Sequence, residues 1–190
     1  MNRSRIQLLT EIAIFATLAM ILDVFTEPMK LGPWISFSFK MLPIFLVSFR
    51  WGTKAGMSAG FLWGILQVVT GEAAGGILTL FQGFLEYFVA FALIGLAGVM
   101  KPAIDRARQR KETGKVLLNT LTGVVIGTIA RYAIHFIAGF IFWGQYAPEG
   151  QSAVYYSFVV NGSSALGEGL ACILVIWLAQ PLLSVFLDKK

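Results

Sequence analysis

Apolar residues along this chain fall into six runs, separated by short breaks rich in glycine, proline or charge. A helix needs about 20 apolar residues to cross a bilayer. On that measure the spans are Ile6–Phe25, Ile35–Phe49, Ala55–Val69, Ile77–Met100, Val116–Trp143 and Val154–Leu187. The second is short and carries Pro43 inside it. The sixth is too long for one straight crossing and is expected to break or tilt near Gly162, Gly167 and Gly169. No internal repeat is evident, which argues against an inverted-repeat transporter. The pattern predicts an all-α membrane protein, a six-transmembrane-helix bundle forming a single domain over residues 1–190.

Composition supports the pattern. The chain is 57% hydrophobic and only 13% charged, against about 25% charged in an ordinary soluble domain. Its mean hydropathy is +0.75. A soluble chain of 190 residues could not hide so much apolar surface, because small domains expose a large share of theirs. A soluble enzyme, a disordered chain and a disulfide scaffold are therefore excluded. Met-Asn-Arg-Ser-Arg precedes the first run, and no small-residue cleavage site follows, so the run is read as a retained helix.

Charge sets the expected orientation. Arg3, Arg5, Arg50, Lys54, Lys101, Arg106, Arg108, Arg110, Lys111, Lys115, Lys189 and Lys190 all fall on one side of the six spans, 12 of the 15 basic residues. The opposite loops hold Glu27, Lys30, Glu72 and Glu149. Cytoplasmic loops collect Lys and Arg, so both termini are expected in the cytoplasm, with the chain in the cell membrane. The net charge of +5 is a topology signal, and no nucleic acid partner is implied.

Small residues add packing information. Gly56, Gly60 and Gly64 share one face of the third span, where glycine lets helices approach closely in lipid. Packing within the bundle is favoured over docking of another protein. Ala13, Ala16 and Ala19 make a smooth patch on the first span.

Ionisable groups inside a membrane are costly and usually functional. The candidates are Asp23, Lys40, Glu86, Arg131, His135 and Glu168. Glu11 can reach water, and Lys40 has the length to snorkel. At about 1.5 Å per residue, Glu86 lies ~13 Å below the outer end of span 4, His135 ~12 Å below that of span 5, and Asn161 ~11 Å below that of span 6. Trp63 falls at ~9–12 Å in span 3. An acid, an imidazole, an amide and an indole thus share one layer of the outer leaflet.

Aromatic residues lie above it: Trp34, Trp143, Tyr155 and Tyr156. An interfacial belt accounts for such residues in general. However, His135, Gly139 and Trp143 recur every fourth position and share a face, with Gly139 leaving a gap between two flat rings. A buried carboxylate favours a cationic or donating ligand, and aromatic faces attract cations by ~0.5–2 kcal/mol each. Asn161 both donates and accepts. A flat, partly cationic heterocycle fits this set. Arg131, one turn deeper than His135, is read as the ion-pair partner of Glu168, with a ligand-linked role as the alternative.

Catalysis finds little support. The single Cys172 and single histidine make no zinc cluster, so no metal site is expected. No nucleophile–base order, phosphate loop or nucleotide-binding motif is present. No catalytic residue and no cofactor are assigned, and energy for active transport must come from elsewhere.

At these residues the chain resembles a known family. Leu8-Leu-Thr-Glu-Ile-Ala13, Met41-Leu-Pro-Ile44, Trp63-Gly-Ile-Leu66, Phe84-Leu-Glu-Tyr87, His135-Phe-Ile-Ala-Gly139 running to Phe142-Trp-Gly-Gln-Tyr146, Tyr156-Ser and Val160-Asn-Gly162 are similar to stretches of the thiamine-specific substrate-binding subunits (S components) of energy-coupling factor transporters. The resemblance implies a six-helix bundle that binds thiamine from outside. It makes Glu86 the acid that meets the ligand, Tyr87 its neighbour, and His135 and Trp143 the stacking pair around Gly139. Tyr156 and Asn161 become the span 6 contacts, Trp34 the aromatic of a closing loop, and Trp63 a wall residue. The implied partners are a transmembrane coupling subunit and two ATPases, docked through small residues of span 1, here Ala13, Ala16, Thr17 and Ala19. The family's alanine at every fourth position is not kept, since Thr17 and Met20 interrupt it. Two other readings stay open. One is an ion-coupled secondary transporter of a cationic heterocycle, relaying through Glu86, Arg131 and Glu168. The other is a membrane enzyme using His135 and Glu86 on a lipid-linked substrate.

Overall fold

The computed structural model describes residues 3–26, 35 and 37–187. These residues form helices and connecting turns, with no extended strand among them. We number the helices α1 Arg3–Thr26, α2 Leu42–Trp51, α3 Thr53–Val69, α4 Leu80–Gln109, α5 Thr113–Phe142, α6 Ala153–Leu178 and α7 Gln180–Leu187. Helices α1, α4, α5 and α6 are long and apolar enough to cross a membrane. Their outward residues, such as Leu9, Phe25, Leu118, Ile129 and Leu166, are exposed and apolar, the pattern of a surface that meets acyl chains.

The second span differs from expectation. Its helix starts only at Leu42, with Pro43 in the first turn, where the missing N–H leaves no helical bond unmade. Residues 37–41 are non-helical. The ten residues of α2 rise only ~15 Å, and most of them, Pro43, Ile44, Phe45, Val47, Ser48 and Phe49, are buried. Non-helical backbone at membrane depth is tolerated where protein covers it, and α2 lies inside the bundle among α1, α3 and α4.

Span 4 is displaced at both ends. Thr79 caps the helix through its side chain, accepting from the Gln82 N–H, so α4 begins at Leu80 rather than Ile77. It then runs past Met100 to Gln109. Its course is irregular, with a π-helical stretch over Phe84–Val89 and a 3₁₀ stretch over Ile94–Met100. The glycine face of α3 packs against it. A Cβ at Gly60 would lie 2.0 Å from the Phe91 carbonyl oxygen and one at Gly64 1.8 Å from that of Tyr87. The α3 glycines are therefore internal packing, as favoured from sequence.

Span 6 does not break at its glycines. Helix α6 is continuous from Ala153 to Leu178, and the interruption falls at Ala179, just before Gln180-Pro181. Proline removes an N–H and clashes with the preceding turn, whereas Gly167 serves contact: its missing side chain makes room for the Phe37 ring. Helix α7 then folds under the basic end of the bundle. Arg50 donates to the Phe186 carbonyl, Arg108 donates to that of Leu187 at 2.9 Å, and Phe15 meets Phe186 edge to face. Two cations at the carbonyl end of a helix oppose its dipole favourably.

Candidate functional site

The π-helical stretch of α4 carries Glu86 and Tyr87. Widening a helix by one residue shifts the direction of the side chains that follow, and such bulges recur at functional sites. Here Glu86 turns into a cavity of about 480 Å³ that is also lined by Tyr87, His135, Gly139, Trp143, Tyr156 and Asn161. That volume falls within the ~300–1,000 Å³ of small-molecule sites. Seven of the nine ligand residues expected from the sequence thus converge from α4, α5 and α6 on one space. Trp34 lies outside the described residues.

Trp63 does not line the cavity. It is fully buried one layer behind, its ring 4.3 Å from that of Phe91 and 5.2 Å from the Arg131 guanidinium carbon. Its helical phase points it into the core rather than the opening.

Glu86 is held from three sides. Trp143 Nε1 donates to it at 3.0 Å, Gln82 Nε2 donates to the same oxygen, and His135 Nδ1 lies 3.4 Å from the other. Gln82 is itself fixed, donating to the Gly76 carbonyl at 2.9 Å while its own oxygen accepts the Leu78 N–H. Arg131 Nε donates to His135 Nε2 at 3.3 Å. An imidazole nitrogen that accepts carries no proton, so the proton sits on Nδ1 and His135 donates to Glu86 as a neutral ring.

Behind His135 runs a chain of alternating charge. Arg131 Nη1 reaches Glu168 Oε2 at 3.3 Å, as the sequence reading favoured. Lys40 Nζ takes the other Glu168 oxygen at 3.2 Å and Asp23 at 2.9 Å, and Gln67 donates to Asp23. Lys40 therefore does not snorkel; it is buried between two carboxylates. Arg131 is also bedded against the Phe91, Tyr132 and Trp63 rings. Across Asp23, Lys40, Glu168, Arg131 and Glu86, three carboxylates face two cations. With His135 neutral, Glu86 is the carboxylate left without a cation. Glu72 adds a further acid at the exposed side of the lining.

Gly139 has a second role. A Cβ there would lie 2.2 Å from Ser157 Oγ and 3.0 Å from Asn161 Nδ2. Its bareness lets α6 approach α5 closely enough for Asn161 to reach the cavity. Ser157 locks that contact by donating to the Phe136 carbonyl at 2.8 Å.

Sequence reasoning missed Gln82 and Gln67 as bracing and wall residues, and named Asp23 as a candidate charge without placing it in the wall. Gln82 could have been found, because it stands four residues before Glu86 on one helix face. The small-residue patch on α1 needs correction. Ala16 and Ala19 are wholly buried, since they pack into the bundle, and cannot meet a partner. Ala13 and Thr17 are exposed. Among the described residues no cluster of His, Cys, Asp and Glu could hold a metal.

Comparison with known proteins points the same way. A family model described as "Thiamine transporter protein" matches residues 9–186. The thiamine transporter ThiT of Lacticaseibacillus paracasei is 38% identical over 176 residues, 92% of this chain and 87% of the relative. ThiT of Bacillus subtilis is 37% identical over 180 residues, 94% of this chain and 93% of the relative. A solved structure of ThiT from Listeria monocytogenes is similar with a TM-score of 0.90 at 34% identity, covering 97% of this chain and 99% of that one.

Proposed function

This chain belongs to the thiamine transporter family, and we propose from that premise that it is the thiamine-binding subunit (S component) of an ATP-driven energy-coupling factor importer. It is a multi-pass protein of the cell membrane with a transport role rather than an enzymatic one. In the proposed arrangement α2 together with residues 37–41 counts as a crossing, as does α3, giving six. An even number returns both termini to the basic, cytoplasmic side. Glu86 is near the start of α4 and the basic stretch Lys101–Gln109 ends it. Glu86 and Lys101 are ~20 Å apart along the helix, so the cavity faces outside.

The observation that carries this reading is the convergence of Glu86, a part-buried carboxylate without a lysine or arginine partner among the described residues, and several flat side chains on a single cavity. Thiamine joins a permanently cationic thiazolium to a flat aminopyrimidine, so it answers both features. A carboxylate offers about four acceptor positions. Gln82, His135 and Trp143 take three, which leaves room for one ligand N–H. His135 and Trp143 supply the stacking faces, with Tyr87, Tyr156 and Asn161 at the edges. Delivery would pass through a transmembrane coupling subunit and its two ATPases, with Ala13 and Thr17 as the exposed small residues of α1 available for docking.

Purified protein titrated with thiamine is expected to bind tightly and to lose tryptophan fluorescence as Trp143 meets the ligand; no heat and no quench would overturn the assignment. In liposomes, uptake is expected only with the coupling subunit, both ATPases and ATP. Gradient-driven uptake by the chain alone would instead favour the ion-coupled transporter.

A further inference from the structure

At the opposite end of the bundle from the vitamin cavity, the turn between α4 and α5 gathers six cations and two acids within residues 101–115. Most of the partners are local. Lys101 pairs with Asp105, Lys115 with Glu112 at 3.1 Å, and Arg108 with the Leu187 carbonyl. Arg106 and Arg110 are exposed and have no carboxylate at ion-pair distance among the described residues. They stand one helical turn apart. Facing them from α5 are Lys115 and Asn119, also one turn apart, and between the two rows is a second cavity of about 210 Å³ with Ala103, Ala107 and the Lys115 partner Glu112 in its wall, which leaves three cations against one acid.

Topology alone asks for basic residues in this loop. It does not ask that they line a shared hollow. The N-terminus of the 30-residue α5 lies beside it with no side chain capping its first N–H groups, which adds positive potential. The outer face of α5 then continues from Lys115 into Leu118, Val125 and Ile129, all exposed and apolar, at spacings that keep them on one side. A cationic hollow at the head of an apolar, lipid-facing strip matches an amphiphile with an anionic head.

We propose that Arg106, Arg110 and Lys115 hold the phosphate of an anionic phospholipid headgroup, with Asn119 reaching its hydroxyls and an acyl chain lying along Leu118, Val125 and Ile129. Guanidinium forks match phosphate oxygens two at a time. Basic pockets between transmembrane helices on the cytoplasmic side bind such headgroups. A free phosphate shares the headgroup chemistry, but it would have no use for the apolar strip.

The test is lipid retention. Protein in nanodiscs of mixed phosphatidylglycerol and phosphatidylcholine is released gently, and the lipids that stay bound are weighed by native mass spectrometry. Wild type is expected to keep phosphatidylglycerol well above its bulk share. Arg106→Gln and Arg110→Gln are each expected to lower that enrichment about fivefold, and Arg5→Gln, which removes an exposed cation from α1, to leave it unchanged. Thermal unfolding followed by circular dichroism verifies that each variant is folded, and does so whether or not the protein binds thiamine. Unchanged enrichment in folded Arg106 and Arg110 variants overturns the proposal. So does an equal loss in Arg5→Gln, which would mean diffuse attraction, or displacement of the lipid by millimolar inorganic phosphate, which would mean a free-anion site.

Discussion

Glu86→Gln removes the part-buried carboxylate of the cavity that has no lysine or arginine at ion-pair distance among the described residues, while barely changing side-chain volume. A cationic ring stacked near Trp143 would lie ~4–6 Å from that carboxylate. At an effective dielectric of ~20, two unit charges so separated attract by about 3–4 kcal/mol, which is roughly a 100- to 700-fold change in Kd. The substitution also disturbs hydrogen bonding. Trp143, Gln82 and His135 all donate to Glu86, and an amide offers them one oxygen instead of two. Its NH₂ would oppose at least one of those donors. The side chain is 13% exposed, so water can satisfy part of the mismatch, and the fold is expected to lose far less than the site does. Titration calorimetry with thiamine measures the affinity, and thermal unfolding of the same samples measures the fold. Glu86→Asp keeps the charge at a shorter reach and is expected to fall between wild type and Glu86→Gln. Should Glu86→Gln bind within about threefold of wild type with unaltered unfolding, the electrostatic account of the cavity is wrong.

Other substitutions probe the frame. Glu168→Gln leaves buried Arg131 and Lys40 short of their shared carboxylate and is expected to cost about 3–5 kcal/mol. Thermal unfolding reads the loss, and pairing it with Arg131→Gln should cost less than the sum of the two; strict additivity would mean the pair does not interact. Gly60→Ala drives a methyl group against the Phe91 carbonyl, whereas Gly75→Ala meets nothing within 4 Å; folded yield in detergent is expected to collapse for the first and hold for the second. Arg50→Gln removes the bond to the Phe186 carbonyl and the ion pair with Glu11, so limited proteolysis is expected to clip α7 faster while thiamine affinity stays constant.

The long helices were legible because membrane crossing imposes a coarse rule, that a run must be long and apolar, and α1, α5 and most of α4 and α6 obey it. Helix α2 was misjudged because apolarity says only that a segment avoids water. Residues 38–49 avoid it in the bundle interior, where backbone need not be helical and Pro43 fixes where the helix starts. The sixth span shows the converse. Gly162, Gly167 and Gly169 looked like weak points, but a glycine in a helix can equally serve a neighbour's ring, and only Pro181 removes a backbone donor. Neither role can be assigned before one knows what packs against the helix.

Depth was readable for the same reason that length was, since axial rise is nearly constant. Azimuth was readable only within one helix: His135, Gly139 and Trp143 share a face whatever surrounds them, and they do share the cavity. Phase between helices was not, which is why Trp63 packs in the core behind the cavity rather than lining it. Charge pairing depends on both coordinates at once. Lys40 is 128 residues from Glu168 and Arg131 is 37 away, and nothing in their local sequence says that one carboxylate serves both. Yet the consequence for the ligand follows only from that sharing. If Arg131 instead neutralised Glu86, the cavity's acid would be satisfied internally and a cation would gain little there. Because Glu168 holds both Arg131 and Lys40, and because Arg131 meets His135 through Nε alone, the positive charge stops one residue short of Glu86. The selectivity expected of the site thus rests on a carboxylate that is fully buried and does not line the cavity.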